Sequence, residues 1–231
     1  MKLLTLLLTI TLANQCLAQD AATLLVKKVK AKYDLVNDYV ANGKMKTNVV
    51  FIKAPIAKVK IYYKKPDKIK IKNESGISFI PKGSVNINMA NVLSLTNYQA
   101  LDAGTDKVNG TTVKVIKILP NDDSKGDVAL STLYIDEVNV LILKSKTTTK
   151  DNGTYELVMQ YGSQASYGLP SKAQFTFNTK DYKLPKGVTF DYDNGTSADN
   201  DKKVKAKKGK IEITYTDYII NKGIAEDVFK N

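Results

Sequence analysis

The sequence of 231 residues contains no histidine, no arginine and no tryptophan, and its one cysteine is Cys16. Without histidine, the chain cannot build a Ser-His-Asp or Cys-His catalytic site or an imidazole-ligated metal site. Without arginine, no guanidinium group can bind a phosphate through two parallel hydrogen bonds, and all 35 basic residues are lysines. The hydrophobic fraction of 43% and the charged fraction of 25% are nevertheless those of a folded globular chain.

The N-terminal segment has the pattern of an export signal. Lys2 provides a positive start, residues 3–12 form an apolar run, and Ala18 ends a small-residue cleavage site. A run of about ten residues is too short to span a bilayer. We therefore expect residues 1–18 to be a signal peptide and residues 19–231 to be a single domain. Cleavage after Ala18 is favoured over lipidation of Cys16, because a bulky glutamine directly precedes the cysteine.

The predicted mature chain has no cysteine, whereas secreted eukaryotic domains of this size usually carry disulfides. This absence favours the periplasm of a bacterial envelope. The lysine excess gives a formal net charge of +12. Nucleic acid is not an expected partner of an exported chain without arginine. Most lysines alternate with apolar residues, which keeps one face of a strand hydrated and discourages edge pairing.

A single helix is predicted near the start of the mature chain. Residues 21–41 carry apolar side chains at steps of three and four residues, with lysines between them, which is the spacing of an amphipathic helix. Asn42 and Gly43 follow, and glycine commonly ends a helix. The sequence therefore predicts one helix over residues 21–41.

After Gly43 the apolar period changes to two residues. Residues 57–64 and 68–72 alternate apolar side chains with lysines, which predicts two half-buried strands. Asn-Gly pairs at 109–110 and 152–153 predict tight hairpin turns. Segment 85–95 fits either a loop or a short helix. Further strands are predicted at 77–81, 111–119, 129–136, 138–147, 154–161, 173–179, 187–192 and 209–220.

These elements predict a mainly β fold, a single large curved antiparallel sheet with one helix. One helix covers only part of so wide a sheet, so its apolar face is either an ordinary core or a concave surface that binds an apolar ligand. The candidate ligand-binding residues are Val59, Ile61, Tyr63, Ile69, Ile71, Ile77, Phe79, Leu133, Ile135, Leu141, Leu157 and Met159.

Catalytic, metal and cofactor sites are poorly supported, and we expect none of them. Asp191, Asp193, Asp199 and Asp201 lack the spacing and the closing glutamate of an EF-hand loop, which favours a solvated loop. No particular pair of carboxylates stands out as a glycoside hydrolase site. The dense lysine run at residues 202–210 is the best candidate for binding an acidic partner.

The order of short motifs along the chain resembles that of the periplasmic outer-membrane lipoprotein carrier family, LolA and the related outer-membrane lipoprotein-sorting proteins. After the helix, the motifs that carry the resemblance are residues 62–69 (YYKKPDKI), 76–81 (GISFIP), 133–136 (LYID) and 184–188 (LPKGV). The ending at residues 220–229 resembles a version of the family with an added C-terminal strand.

The resemblance implies a fold and an activity. The fold is an unclosed antiparallel half-barrel, with the N-terminal helix and short lid helices on its concave face. The activity is that of a monomeric, non-enzymatic carrier that shields the acyl chains of lipoproteins or other lipids, receives them from an inner-membrane donor and delivers them to an outer-membrane acceptor.

The resemblance also implies a residue for lid control. In the family, an arginine just before the strand-connecting proline holds the lid through backbone carbonyls, and the matching residue here is Lys65, a compact point charge with fewer fixed donors. An alternative function comes from relatives that control envelope-stress signalling. The same fold would then be a sensor or interaction module that binds a regulatory protein, although such relatives usually carry a second domain.

Overall fold

A computed structural model describes residues 21–49, 52–53, 56–66, 68–75, 97–121, 128–150, 153–178 and 208–230. The described chain forms one helix, α1, over residues 21–33, followed by strands and two short 3-10 turns, at Ala165–Tyr167 and Glu226–Phe229. The strands are β1 (Asp38–Val49), β2 (Ile52–Lys53), β3 (Ala57–Lys64), β4 (Lys68–Ser75), β5 (Tyr98–Val108), β6 (Thr111–Pro120), β7 (Val128–Asp136), β8 (Leu141–Thr149), β9 (Thr154–Tyr161), β10 (Pro170–Asn178) and β11 (Lys208–Ile220).

Several predictions fall outside the described residues. They are the signal peptide at 1–18 with Cys16, the strands at 77–81 and 187–192, segment 85–95, the acidic cluster at 191–201 and the lysines at 202–207. Within the part of the chain that the structure describes, no helix is long and apolar enough to cross a membrane.

All the strands belong to one antiparallel sheet. Its order is β4-β3-β1-β11-β10-β9-β8-β7-β6-β5, and β2 makes an additional short pairing with β1. Among the described residues, β4 and β5 are the outermost strands, and each pairs with one neighbour only. They do not pair with each other, so the sheet does not close into a barrel. The predicted mainly β, unclosed half-barrel is therefore confirmed.

The helix is shorter than the sequence pattern predicts. It occupies residues 21–33, and Asp38 already begins β1, so the prediction that the helix continues to residue 41 and ends at Asn42 and Gly43 is wrong. Asn42 and Gly43 instead form a bulge at which the register between β1 and β11 shifts. A Cβ atom on Gly43 would lie 3.0 Å from the backbone oxygen of Thr214, so glycine permits this close approach of two strands.

The alternation of apolar residues does not predict strand β5. Strand β5 is an edge strand whose residues 101–107 are all exposed, so it carries no buried face to produce a period of two. It forms because it pairs along its length with β6. The predicted Asn-Gly turn joins the two strands, with φ of 49° at Asn109 and 85° at Gly110, as a tight hairpin requires.

The core lies on the face of the sheet that carries α1, which we call the inner face. Helix α1 buries Ala22, Leu25, Val26 and Val29 in a cluster that continues across the sheet from β3 to β6. Its members on the strands include Ile61, Met45, Ile213, Phe175, Leu157, Leu133 and Ile116. The opposite, outer face is dominated by lysines and threonines. The alternation that predicted half-buried strands thus reflects a real division between the two faces.

Candidate functional site

The structure brings together most of the residues predicted to bind an apolar ligand. Seven of them are buried in the inner-face cluster, and Ile69 and Ile71 are half-buried against it. The seven are Val59, Ile61, Tyr63, Leu133, Ile135, Leu157 and Met159. Ile77 and Phe79 lie outside the described residues.

Leu141 is buried but does not belong to the inner-face cluster. It lies opposite Asp136 in the pairing of β7 with β8, whereas its neighbour Ile142 lies opposite Ile135. Because successive side chains of a strand point to opposite faces, Ile142 rather than Leu141 contributes to the inner face. Ile142 is fully buried in the cluster, and the sequence pattern did not single it out.

Ile69 and Ile71 differ from the other predicted residues in their accessibility. Both lie on β4, at one edge of the sheet, where Ile71 is opposite Ile61 and Ile69 is opposite Tyr63. Their half-buried side chains lead from the edge of the sheet to fully buried neighbours. These two residues are therefore the most accessible of the predicted residues on the inner face.

A group of tyrosines that the spacing of apolar residues does not predict packs on the inner face near the C-terminal end of α1. The ring of Tyr39 lies 5.2 Å from that of Tyr63 and 5.4 Å from that of Tyr218. The rings of Tyr215 and Tyr218 stack with centroids 5.1 Å apart. Together with Tyr33 and Tyr161, these residues form what we call the tyrosine cluster, which comes from α1 and strands β1, β3, β9 and β11.

Hydrogen bonds fix the polar ends of this cluster. The hydroxyl of Tyr161 donates to the backbone oxygen of Ile142 over 2.7 Å. Because a hydroxyl has only one proton, the 3.1 Å contact between Tyr33 and Tyr161 is then donated by Tyr33. The hydroxyl of Tyr218 donates to the backbone oxygen of Pro170 over 2.7 Å. The hydroxyls of Tyr33 and Tyr161 thus link α1 to strands β9 and β8 of the sheet.

The tyrosine cluster is uncharged near neutral pH. Burial raises the pKa of Tyr33 to about 12, although its hydrogen bond with Tyr161 opposes the shift. Burial also raises the pKa of Tyr39, Tyr161, Tyr215 and Tyr218 above the ordinary value of 10.0. The inner face therefore presents mainly aliphatic and aromatic surface, which suits an apolar ligand, and the buried hydroxyls of Ser131 and Thr147 on it bond to each other. Within the described part of the chain, no three acidic or cysteine residues are grouped so that they could hold a metal ion.

The C-terminal end of α1 is also held by lysines. Lys65 donates from Nζ to the backbone oxygen of Asp34 over 2.6 Å, and the same Nζ lies 3.6 Å from the carboxylate of Asp34. Lys32 donates from Nζ to the backbone oxygen of Asn139, in the turn between β7 and β8. Lys65, the candidate for lid control, thus contacts a backbone carbonyl at the end of the helix.

The chain after β11 folds back over the turn between β3 and β4. The carboxylate of Asp38 accepts hydrogen bonds from the backbone N–H groups of Lys222 and Gly223, at 3.1 and 3.0 Å. Glu226 forms ion pairs with Lys64 at 2.8 Å and Lys68 at 2.6 Å, and hydrogen bonds to these two lysines lower its pKa to about 2. Residues 221–230 contain a 3-10 turn and no strand, so the added C-terminal strand that the resemblance implied for residues 220–229 is wrong.

Comparison with solved structures identifies the fold. The structure is similar to a DUF1329 family protein from Desulfovibrio piger, with 12% identity, a TM-score of 0.57 and coverage of 92% of this chain and 97% of that chain. A putative outer membrane lipoprotein-sorting protein domain from Vibrio parahaemolyticus gives 12% identity, a TM-score of 0.54 and the same coverage. A LolA superfamily protein from Nitrosomonas europaea gives 9% identity, a TM-score of 0.55 and coverage of 91% and 97%.

These similarities establish a LolA-like fold. No curated protein sequence matches the chain. A protein-family model does match it: the model of the MucB/RseB N-terminal domain aligns with residues 58–184, which is more than half of the 231 residues. The chain belongs to the MucB/RseB N-terminal domain family.

Proposed function

We propose that this protein is a periplasmic carrier that binds the acyl chains of lipoproteins or other lipids between α1 and the inner face of the sheet. The observation that carries the proposal is the continuous apolar inner face, which runs from the accessible edge at Ile69 and Ile71 to the buried residues of β6. Its fold is similar to that of the lipoprotein-sorting protein domain described above. Such a protein needs no catalytic group, because its function is to keep methylene groups out of water.

The free energy of the contacts between α1 and the sheet supports a lid function for α1. The helix packs on the sheet through one alanine, one leucine and two valines, and burying each larger side chain stabilises the contact by about 1.5–3 kcal/mol. An acyl chain with about fourteen methylenes gains about 11 kcal/mol when it leaves water, at roughly 0.8 kcal/mol each. A bound acyl chain can therefore replace the contacts of α1 with the sheet. Release then requires an acceptor that binds the acyl chain more tightly.

The proposal includes the organisation of the chain and its partners. Residues 1–18 serve as the export signal, and residues 19–231 act as one domain in the bacterial envelope. The carrier acts as a monomer without a cofactor, takes cargo from an inner-membrane donor and passes it to an outer-membrane acceptor.

Ile71→Glu is expected to weaken binding of a fluorescent fatty acid by about tenfold or more, because it places a charge where the acyl chain enters the apolar face. Ile71 is half-buried at the sheet edge, so the variant should still fold. Fluorescence titration, with circular dichroism to confirm folding, measures the effect.

Leu101→Glu is the matched control for this substitution. Leu101 lies on the outer face of edge strand β5 and is 39% exposed, so the same chemical change should leave the affinity unchanged. Absence of any fatty acid binding by the unmodified protein would contradict the carrier proposal. Equal affinities of the Ile71→Glu variant and the unmodified protein would show that the acyl chain does not enter at β4.

Lys65→Met is expected to release a bound fatty acid about fivefold faster than the unmodified protein. The substitution removes the hydrogen bond to the backbone oxygen of Asp34 and loosens the end of α1, at a cost of about 1 kcal/mol. Lys65→Arg, which keeps a cationic donor, should retain the slow rate. Stopped-flow measurement of fatty acid dissociation tests both variants, and equal rates for all three proteins would exclude lid control by Lys65.

A second candidate function is favoured by the family match itself. As a member of the MucB/RseB N-terminal domain family, the chain could use the same fold to bind a regulatory protein rather than lipid. The long edge strand β5, exposed at residues 101–107, offers backbone groups with which an extended peptide can pair. Affinity purification from envelope extracts separates the candidates, since a carrier should recover lipoproteins whereas an interaction module should recover an inner-membrane regulator.

A further inference from the structure

The outer face of one half of the sheet carries a concentrated positive charge. Strands β1, β3 and β4 are adjacent, and their outward positions are occupied largely by lysines. We call this group the basic outer patch. Its members are Lys44, Lys46, Lys58, Lys60, Lys64, Lys68, Lys70 and Lys72.

The strand register places lysines directly opposite one another. Lys44 faces Lys58 in the pairing of β1 with β3. In the pairing of β3 with β4, Lys60 faces Lys72 and Lys64 faces Lys68. Like charges opposite each other in a sheet are destabilising. A threonine or glutamine at these positions would keep the face equally hydrated without repulsion, so hydration alone does not account for the arrangement.

Carboxylates compensate only part of this charge. Glu74 pairs with Lys60 at 3.0 Å, and Glu226 pairs with Lys64 and Lys68. The three opposed pairs contain six lysines, of which Lys60, Lys64 and Lys68 form these ion pairs. Among the described residues, the other three form none. These are Lys44, Lys58 and Lys72, all of them exposed.

The geometry of the patch indicates the kind of partner. Neighbouring strands are about 5 Å apart and alternate residues about 7 Å apart, so the lysines form a two-dimensional array. Lysine is a compact hydrated charge without the planar fork that selects a particular phosphate or carboxylate arrangement. An array of unselective charges fits a plane that carries many anions better than it fits one defined peptide.

We propose that the basic outer patch docks the protein on a membrane surface rich in anionic phospholipid headgroups. This interaction is independent of acyl-chain binding, because it uses the face of the sheet opposite α1. Each lysine near an anionic membrane surface strengthens binding by about fivefold. The attraction falls off within a Debye length, so it is strongly reduced at high salt.

The proposal is tested by co-sedimentation of the protein with vesicles. We expect binding to vesicles of phosphatidylcholine with phosphatidylglycerol at low salt, and little binding to phosphatidylcholine alone. The triple variant Lys44→Gln/Lys58→Gln/Lys72→Gln should bind the anionic vesicles about 100-fold more weakly. Its urea unfolding midpoint should not fall, because the substitutions remove repulsion between opposed lysines.

A matched variant distinguishes the patch from net charge. Lys107→Gln/Lys117→Gln/Lys146→Gln removes the same charge from exposed positions on β5, β6 and β8, and should bind vesicles within a few fold of the unmodified protein. Equal losses in the two triple variants would overturn the proposal, because only overall charge would then matter. Binding of a polyglutamate peptide at the patch, without binding of anionic vesicles, would also overturn it in favour of an acidic protein partner.

Discussion

Raising the pH from 10 to 11 is expected to lower the free energy of unfolding by about 5 kcal/mol, because of the tyrosine cluster. Tyr33, Tyr39, Tyr161, Tyr215 and Tyr218 have raised pKa values in the folded protein, with Tyr33 at about 12. In the unfolded chain they lose their protons near pH 10. The unfolded state then binds fewer protons than the folded state, so stability falls as the pH rises. Between pH 10 and pH 11 each of these five tyrosines contributes about 1 kcal/mol, because an unfolded tyrosine is already half ionised at pH 10.

Urea unfolding at pH 7, 9, 10 and 11 measures this effect, and tyrosinate absorbance reports when the hydroxyls ionise. The absorbance of the cluster should increase together with unfolding rather than before it. Tyr161→Phe is the control, since it removes one of the five groups and should reduce the pH dependence by about a fifth. Stability should change little from pH 6 to pH 9, because the sequence has no histidine. Full ionisation of the cluster in a protein that stays folded at pH 11 would contradict the expectation.

The tyrosine cluster also shows what local patterns cannot predict. Its members are dispersed from Tyr33 to Tyr218, and the strands among them meet because β1 pairs with both β3 and β11. Neither their spacing nor their neighbours in the sequence distinguishes them from half-buried tyrosines elsewhere in the sheet, such as Tyr62 and Tyr134. By contrast, Ile61, Leu133 and Leu157 were predicted correctly to share one face, since alternation within each strand is sufficient to assign the apolar side.

The errors in the fold have a common physical cause. Val36, Tyr39 and Val40 continue the helical spacing of α1, and Asn42 and Gly43 have the composition of a helix end. Pairing of β1 with both β3 and β11 overrides this local preference, because it supplies backbone hydrogen bonds along both edges of the strand. Strand β5 was missed for a related reason, since only its partner β6, and no buried face, specifies it.

The resemblance to the lipoprotein carriers predicted that the sheet stays open, which the alternation of apolar residues could not show. Periodicity predicted a curved sheet under an incomplete cover, but it did not show whether the sheet closes. The ordered motifs implied an unclosed half-barrel, and the open edges at β4 and β5 confirm it among the described residues. The motif suggested Lys65 only as a residue for lid control, and its hydrogen bond to Asp34 at the end of α1 could be seen only in the structure.

Leu133→Ala is expected to lower the free energy of unfolding by about 2–5 kcal/mol, the range found when a large buried side chain leaves a cavity. Leu133 is fully buried at the centre of β7, between Ile116 of β6 and Ser145 of β8. Ile69→Ala, at the half-buried edge, should cost about 1 kcal/mol or less. Urea unfolding of the two variants measures the difference.

The same two variants separate core from ligand site when fatty acid binding is measured at a temperature where both are folded. If Leu133 is core, its truncation should leave the affinity of the folded protein nearly unchanged, whereas Ile69→Ala should weaken binding by severalfold because it removes contacts with the entering chain. Leu133 would then support the sheet, whereas Ile69 would contact cargo. A small stability loss with a large affinity loss for Leu133→Ala would instead place the acyl chain deep in the sheet, and the buried residues of β7 and β9 would become its binding surface.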